Sequence, residues 1–83
     1  MTAKVTPQEA LGLLAEAINE PVDDLGPDCL RESIPGWDSM GTLLLMAELD
    51  ERFGIELSAD QVRQMRCVND FLAFMRKHDL LQE

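Results

Sequence analysis

Asp38-Ser39-Met40-Gly41-Thr42-Leu43-Leu44-Leu45-Met46-Ala47-Glu48-Leu49-Asp50-Glu51-Arg52-Phe53-Gly54 is the run whose reading decides how the chain folds. Asp38 is a good N-cap: its short carboxylate accepts from the unpaired N–H groups of a first helical turn. Ser39 then becomes the first residue of a helix predicted to reach about Phe53, and Gly54 supplies the C-terminal stop. At about 100° per residue, Thr42, Leu45, Met46, Leu49 and Phe53 gather on one side of that helix. Met40, Leu43, Leu44 and Ala47 gather on roughly the opposite side, and Glu51 continues the row. A helix in a small bundle buries one stripe, so the second is expected to be at least partly exposed. Exposed apolar surface rimmed by acids, here Glu48, Asp50, Glu51 and Glu56, marks a docking site. The plainer alternative is that this second stripe packs against a loop or a neighbouring helix.

Upstream of this helix, Pro21, Gly26, Pro27, Pro35 and Gly36 break any long periodic element between Glu20 and Asp38. A loop of this length is expected to be functional, pinned over the core by Val22, Leu25, Leu30 and Ile34, with one helical turn after Pro27. Before it lies a well-marked first helix. Thr6 is its N-cap, Pro7 suits the first helical position, Glu9 completes a capping box, and Val5 staples the entry. Ala10, Leu11, Leu14, Ala17 and Ile18 form its inward stripe, and Pro21 is expected to end it. Downstream, Ser58 and Gln61 form a second capping box that opens a short helix to about Met65. Val68, Phe71, Leu72 and Met75 then recur at the spacing of a last amphipathic helix. No stretch alternates apolar and polar residues, so no strand is predicted. The fold class is all-α: one domain over residues 1–83, a four-helix bundle of three longer helices and one short, with a long loop between the first two.

Composition narrows the partners. The 83 residues carry 16 acids against 7 lysines and arginines, a formal net charge of −9, with most of the acids before Arg63. This balance argues against nucleic acid and anionic membrane surfaces, and towards proteins with basic docking faces. No apolar run approaches the roughly 20 residues that span a bilayer, and the opening Met-Thr-Ala-Lys-Val-Thr-Pro has no signal-peptide core, so a cytoplasmic location is expected. Cys29 and Cys67 lack metal-ligand spacing and are expected as thiols in a reducing compartment. His78 is read as a solvated residue at a helix C-terminus.

Ser39 projects its hydroxyl beside the second apolar stripe. Ordinary helix-start chemistry explains it when it is considered alone. No neighbouring base activates it, and the chain has no nucleophile elbow and no Gly-rich phosphate loop. No residue is assigned a catalytic role and the chain is not expected to be an enzyme. Ser39 is better placed to be modified by one.

With Asp38-Ser39-Met40 at a helix start, the chain resembles the acyl and peptidyl carrier proteins, whose signature is Asp-Ser-Leu or Asp-Ser-Met opening the second of four helices. The resemblance covers nearly the whole domain and includes Gly36-Trp37-Asp38-Ser39-Met40-Gly41, Phe53-Gly54-Ile55 and Val68-Asn69-Asp70-Phe71. It implies that Ser39 receives a 4′-phosphopantetheine arm from coenzyme A through a phosphodiester. A phosphopantetheinyl transferase using Mg²⁺ would provide the base, with Asp38 flanking the site. The arm's thiol would hold cargo as a thioester, loaded by an acyl or aminoacyl ligase and passed to an acyltransferase or synthase. Met40, Leu43, Leu44, Ala47, Glu48 and Glu51 would meet those partners, and the carrier would act as a monomer.

Departures from the common pattern point away from the housekeeping fatty-acid carrier. Gly41 and Leu44 stand where that family usually has acids, making the docking face more apolar, and Cys67 replaces a Thr or Ser that caps the last helix, weakening that cap. The run from Asp38 to Thr42 also resembles the D-alanyl carriers of teichoic-acid modification. Trp37 is read as a loop anchor, with a cover over the base of the arm as the alternative. A specialised acyl carrier is thus the leading expectation, a D-alanyl or other aminoacyl carrier the second. A non-covalent interaction module on the same fold is the third.

Overall fold

The computed structural model describes residues 4–82; Met1, Thr2 and Ala3, part of the opening stretch read above, and Glu83 lie outside them. Four α-helices follow one another: α1 (Pro7–Ile18), α2 (Ser39–Phe53), α3 (Ala59–Arg63) and α4 (Val68–Lys77). No strand occurs among the described residues, and two isolated bridges, Val5 with Leu81 and Leu30 with Cys67, are the only extended pairings. The all-α bundle expected from the sequence is what forms.

Three of the four helix starts are built by the predicted caps. The Thr6 hydroxyl accepts from the Glu9 N–H at 3.1 Å, and the Glu9 carboxylate accepts from the Thr6 N–H at 3.0 Å. The bond from the Thr6 backbone N–H to the carboxylate, helped by the Thr6 side chain, holds the Glu9 pKa below its ordinary value. Ser58 and Gln61 make the same reciprocal pair at 3.1 and 2.9 Å. At α4 the Asp70 carboxylate accepts from the N–H groups of Arg66 and Cys67, at 2.8 and 3.4 Å. This carboxylate is the reciprocal half of a capping box whose N-cap side chain is the Cys67 thiol, a weak acceptor.

Three boundaries differ from the sequence expectation. α1 stops at Asn19 rather than Pro21, because Asn19 adopts the left-handed conformation (φ 57°) that asparagine tolerates and closes the helix. α3 ends at Arg63, short of Met65. In the long loop the single-turn 3₁₀ segments are Val22–Asp24 and Arg31–Ser33, and at Pro27–Asp28 there is an isolated turn closed by Cys29 N–H on the Gly26 carbonyl at 3.0 Å. The first of these turns closes with Leu25 N–H donating to the Val22 carbonyl at 3.0 Å, which buries Leu25 and leaves Val22 outside. Leu25, Ile34 and Trp37 therefore hold the loop down, whereas Leu30 is exposed along with Val22.

α1 packs mainly on α2 and also meets α4. Phe71, Leu14, Ile18, Leu45 and Leu49 are fully buried between them. Each such side chain stabilises the fold by about 1.5–3 kcal/mol through water exclusion alone. The inward face of α1 is wider than the predicted stripe, since Leu13 and Ala15 are also buried and Leu11 is only partly so. The core includes Leu80 and Leu81 as well, which lie beyond α4 and carry no helical periodicity to announce them.

Backbone bonds clasp the loop to the connection between α3 and α4. Arg31 N–H donates to Arg66 C=O at 2.7 Å, Val68 N–H to Cys29 C=O at 3.0 Å, and Asn69 N–H to Pro27 C=O at 2.9 Å. Cys29 and Cys67 are both free. No helix among the described residues is long and apolar enough to cross a membrane.

Candidate functional site

Ser39 is exposed at the first position of α2. Asp38 behind it is extended, and its Oδ1 accepts from the Gly41 N–H at 2.9 Å while its carbonyl accepts from the Thr42 N–H. The carboxylate is thereby turned into the helix, and among the described residues no side chain hydrogen-bonds the Ser39 hydroxyl. A helix of 15 residues carries roughly half a positive charge at this end, which favours an anion bonded to Ser39. Replacing Asp38 with Ala should lower unfolding free energy by about 1 kcal/mol, read as a shift of the urea midpoint. An unchanged midpoint would show that the cap contributes nothing.

The first turn is seated by a close glycine approach. Gly41 is buried, and a Cβ there would meet the Gly36 carbonyl oxygen; a Cβ on Gly36 would in turn meet the Ile18 carbonyl. The Glu20 carboxylate accepts from the Gly36 N–H at 2.6 Å and completes the joint. Gly41 therefore belongs to the packing between α2, the loop and the end of α1. It lies at the floor of the groove that Met40 and Leu44 line, behind their exposed side chains.

The second stripe of α2 is open to solvent. Met40, Leu43 and Leu44 are 63%, 59% and 48% exposed, and Ala47 is exposed beside them. The stripe is divided among three grooves, one of them lined by Ala47 with Asp50 and Glu56. Leu43 lines the groove that holds Ser39, together with Trp37, Thr42, Met46 and Val62, while Met40 and Leu44 line one against the end of α1. Glu51 is exposed at the far end of the row. Glu48 is partly buried and accepts from Arg52 Nε at 2.7 Å, a bond that raises the Arg52 pKa. The predicted partner residues thus share one helix face next to Ser39, with part of the acidic rim already paired.

Trp37 is buried, as a loop anchor should be, and it also forms a wall of the Ser39 groove. Sequence reading missed Arg31 and Arg63, which line the same groove. Arg31 is set there by its bond from Nη1 to the Val62 carbonyl at 2.7 Å. No periodicity links a loop arginine with one at the end of a five-residue helix, so nothing in the sequence pairs them.

Over 71 residues the chain is 20% identical to an acyl carrier protein of Rickettsia bellii (strain OSU 85-389), a match spanning 86% of this chain and 88% of that protein. The chain resembles an acyl carrier protein. No family model and no solved structure matches it. The likeness extends over nearly the full length of both proteins, as the sequence resemblance does, and the helix order is that of the expected bundle.

Proposed function

We propose that residues 1–83 form a single carrier domain in which Ser39 bears a 4′-phosphopantetheine arm. The observation that carries this reading is an exposed serine hydroxyl, free of internal partners, at the positive end of the capped helix α2. These residues fit the group: the hydroxyl is reachable, the helix end favours the phosphodiester anion, and the one adjoining carboxylate, Asp38, is occupied by Gly41 N–H. In the loading step the Ser39 oxygen forms a bond to the pantetheine-bearing phosphorus of coenzyme A. Its proton passes to a base of the transferase, and 3′,5′-ADP leaves. When bound, the arm supplies a thiol that holds acyl cargo as a thioester.

The chain itself contributes position and recognition, and catalyses nothing. Met40, Leu43, Leu44 and Ala47 offer partner enzymes an apolar contact, and Glu48 and Glu51 offer charge, a combination suited to fast and reversible docking. Those partners are a phosphopantetheinyl transferase, a loading ligase and a downstream acyltransferase or synthase, with the carrier a cytoplasmic monomer. Leu44, exposed where fatty-acid carriers have an acid, favours a specialised pathway over housekeeping fatty-acid synthesis. The run Asp38-Ser39-Met40-Gly41-Thr42 favours a D-alanyl or other aminoacyl carrier as the second reading.

Intact mass after incubation with coenzyme A, Mg²⁺ and a broad-specificity transferase tests the proposal. A gain of one phosphopantetheine is expected; no gain, with the same transferase active on another carrier, overturns it. Changing both Glu48 and Glu51 to Lys should raise the transferase KM about tenfold at low ionic strength and less at high. Salt-independent, unchanged kinetics would place docking elsewhere.

A further inference from the structure

The groove beside Ser39 departs from the rest of this acidic chain in its charge. Among its lining residues Asp38 is the one acid, against Arg31 and Arg63. Arg31 uses Nη1 on the Val62 carbonyl, which holds its guanidinium at the groove and leaves further N–H donors of the fork available. Arg63 pairs with Asp60 at 3.3 Å, but both side chains are largely exposed, so that ion pair is readily exchanged for another. Between the arginines the walls are apolar: Trp37, Leu43, Met46 and Val62. Trp37 is only 4% exposed, and its indole N–H has no hydrogen-bond partner. Buried donors without acceptors are uncommon and costly, and this one belongs to a side chain of the groove wall.

We propose that this groove selects an acyl cargo ending in a carboxylate, whose oxygens are taken by Arg31 and Arg63 while its methylenes lie against Leu43, Met46 and Val62. The inference rests on Ser39 bearing the arm, and it names the cargo class. Guanidinium matches carboxylate in shape and charge, forming paired N–H···O bonds that an ammonium-bearing or purely alkyl cargo cannot make. Entry of the cargo parts the wall formed by Trp37 and brings an oxygen within reach of its N–H.

Trp37 is the only tryptophan in the chain, so it reports on the groove directly. The experiment loads Ser39 with a broad-specificity transferase from coenzyme A, hexanoyl-coenzyme A or adipoyl-coenzyme A. The last two have equal carbon counts and differ by the terminal carboxylate. Intact mass establishes loading in every sample, and NMR then follows the Trp37 indole proton and the arginine Nε–H signals. The adipoyl form is expected to move the indole proton downfield and shift the Arg31 and Arg63 signals relative to the chain loaded from coenzyme A. The hexanoyl form should move them less. Arg63→Gln, on an exposed side chain outside the core, should remove most of the adipoyl effect, and Arg31→Gln should do the same where its backbone spectrum shows the fold retained. Equal responses to adipoyl and hexanoyl, no response to either, or an adipoyl response untouched by Arg63→Gln would overturn the cargo assignment with the carrier reading intact. Absence of any mass gain would overturn both.

Discussion

Ser39→Ala should abolish phosphopantetheinylation while leaving stability within about 0.5 kcal/mol of the parent chain. The expected loss is complete because the proposed bond is to the side-chain oxygen that alanine lacks. Stability is spared because the helix start depends on Asp38, whose Oδ1 accepts from Gly41 N–H, and Ser39 makes no side-chain bond that alanine would forfeit. The pairing of outcomes is what discriminates. An alanine variant that gained mass normally would move the attachment site elsewhere, and one that unfolded would make Ser39 a structural residue. Intact mass and a urea transition on the same two samples decide both points.

Gly36→Ala and Gly41→Ala should each destabilise the chain by about 1–3 kcal/mol, a large share of what a domain of this size has to lose. In a helix interior, alanine normally improves on glycine by up to about 1 kcal/mol, so the expectation at Gly41 reverses the usual sign. The cause is contact: the added methyl group would meet the Gly36 carbonyl oxygen and would lie 3.2 Å from the Ile18 Cγ2. At Gly36 the obstacle is the Ile18 carbonyl, with the Glu20 side chain at 2.7 Å and already committed to the Gly36 N–H. Gly12 in α1 has nothing within 4 Å of the same position, so Gly12→Ala should be stabilising and serves as the internal comparison. If Gly41→Ala stabilised as Gly12→Ala does, the close seating of α2 on the loop would be refuted.

Most of the helical frame was legible before any coordinates because it is written in local chemistry. Thr6 with Glu9, Asp38, and Ser58 with Gln61 each fix a helix start within one turn of chain, and the structure places every one of those starts as read. The loop was harder. Val22 and Leu30 are as apolar as Leu25 and Ile34, and only the direction of short 3₁₀ turns and the pairing of Leu30 with Cys67 decides which are buried. Similarly, Gly41 reads as a gap in a docking face until its approach to Gly36 is seen. The apolar stripe of α2 followed from periodicity alone. The arginines of the Ser39 groove did not, since they come together only through tertiary packing.

Residues 5 and 82 lie side by side, with Val5 N–H donating to Leu80 C=O at 2.9 Å and Gln82 N–H to Val5 C=O at 2.7 Å. Two linkers leaving this bundle would therefore depart from nearly one point. The domain is suited to insertion into a surface loop of a host protein, where adjacent ends spare the host from being pried open. In such a graft linker length, rather than bundle stability, would set how freely the bundle turns against its host.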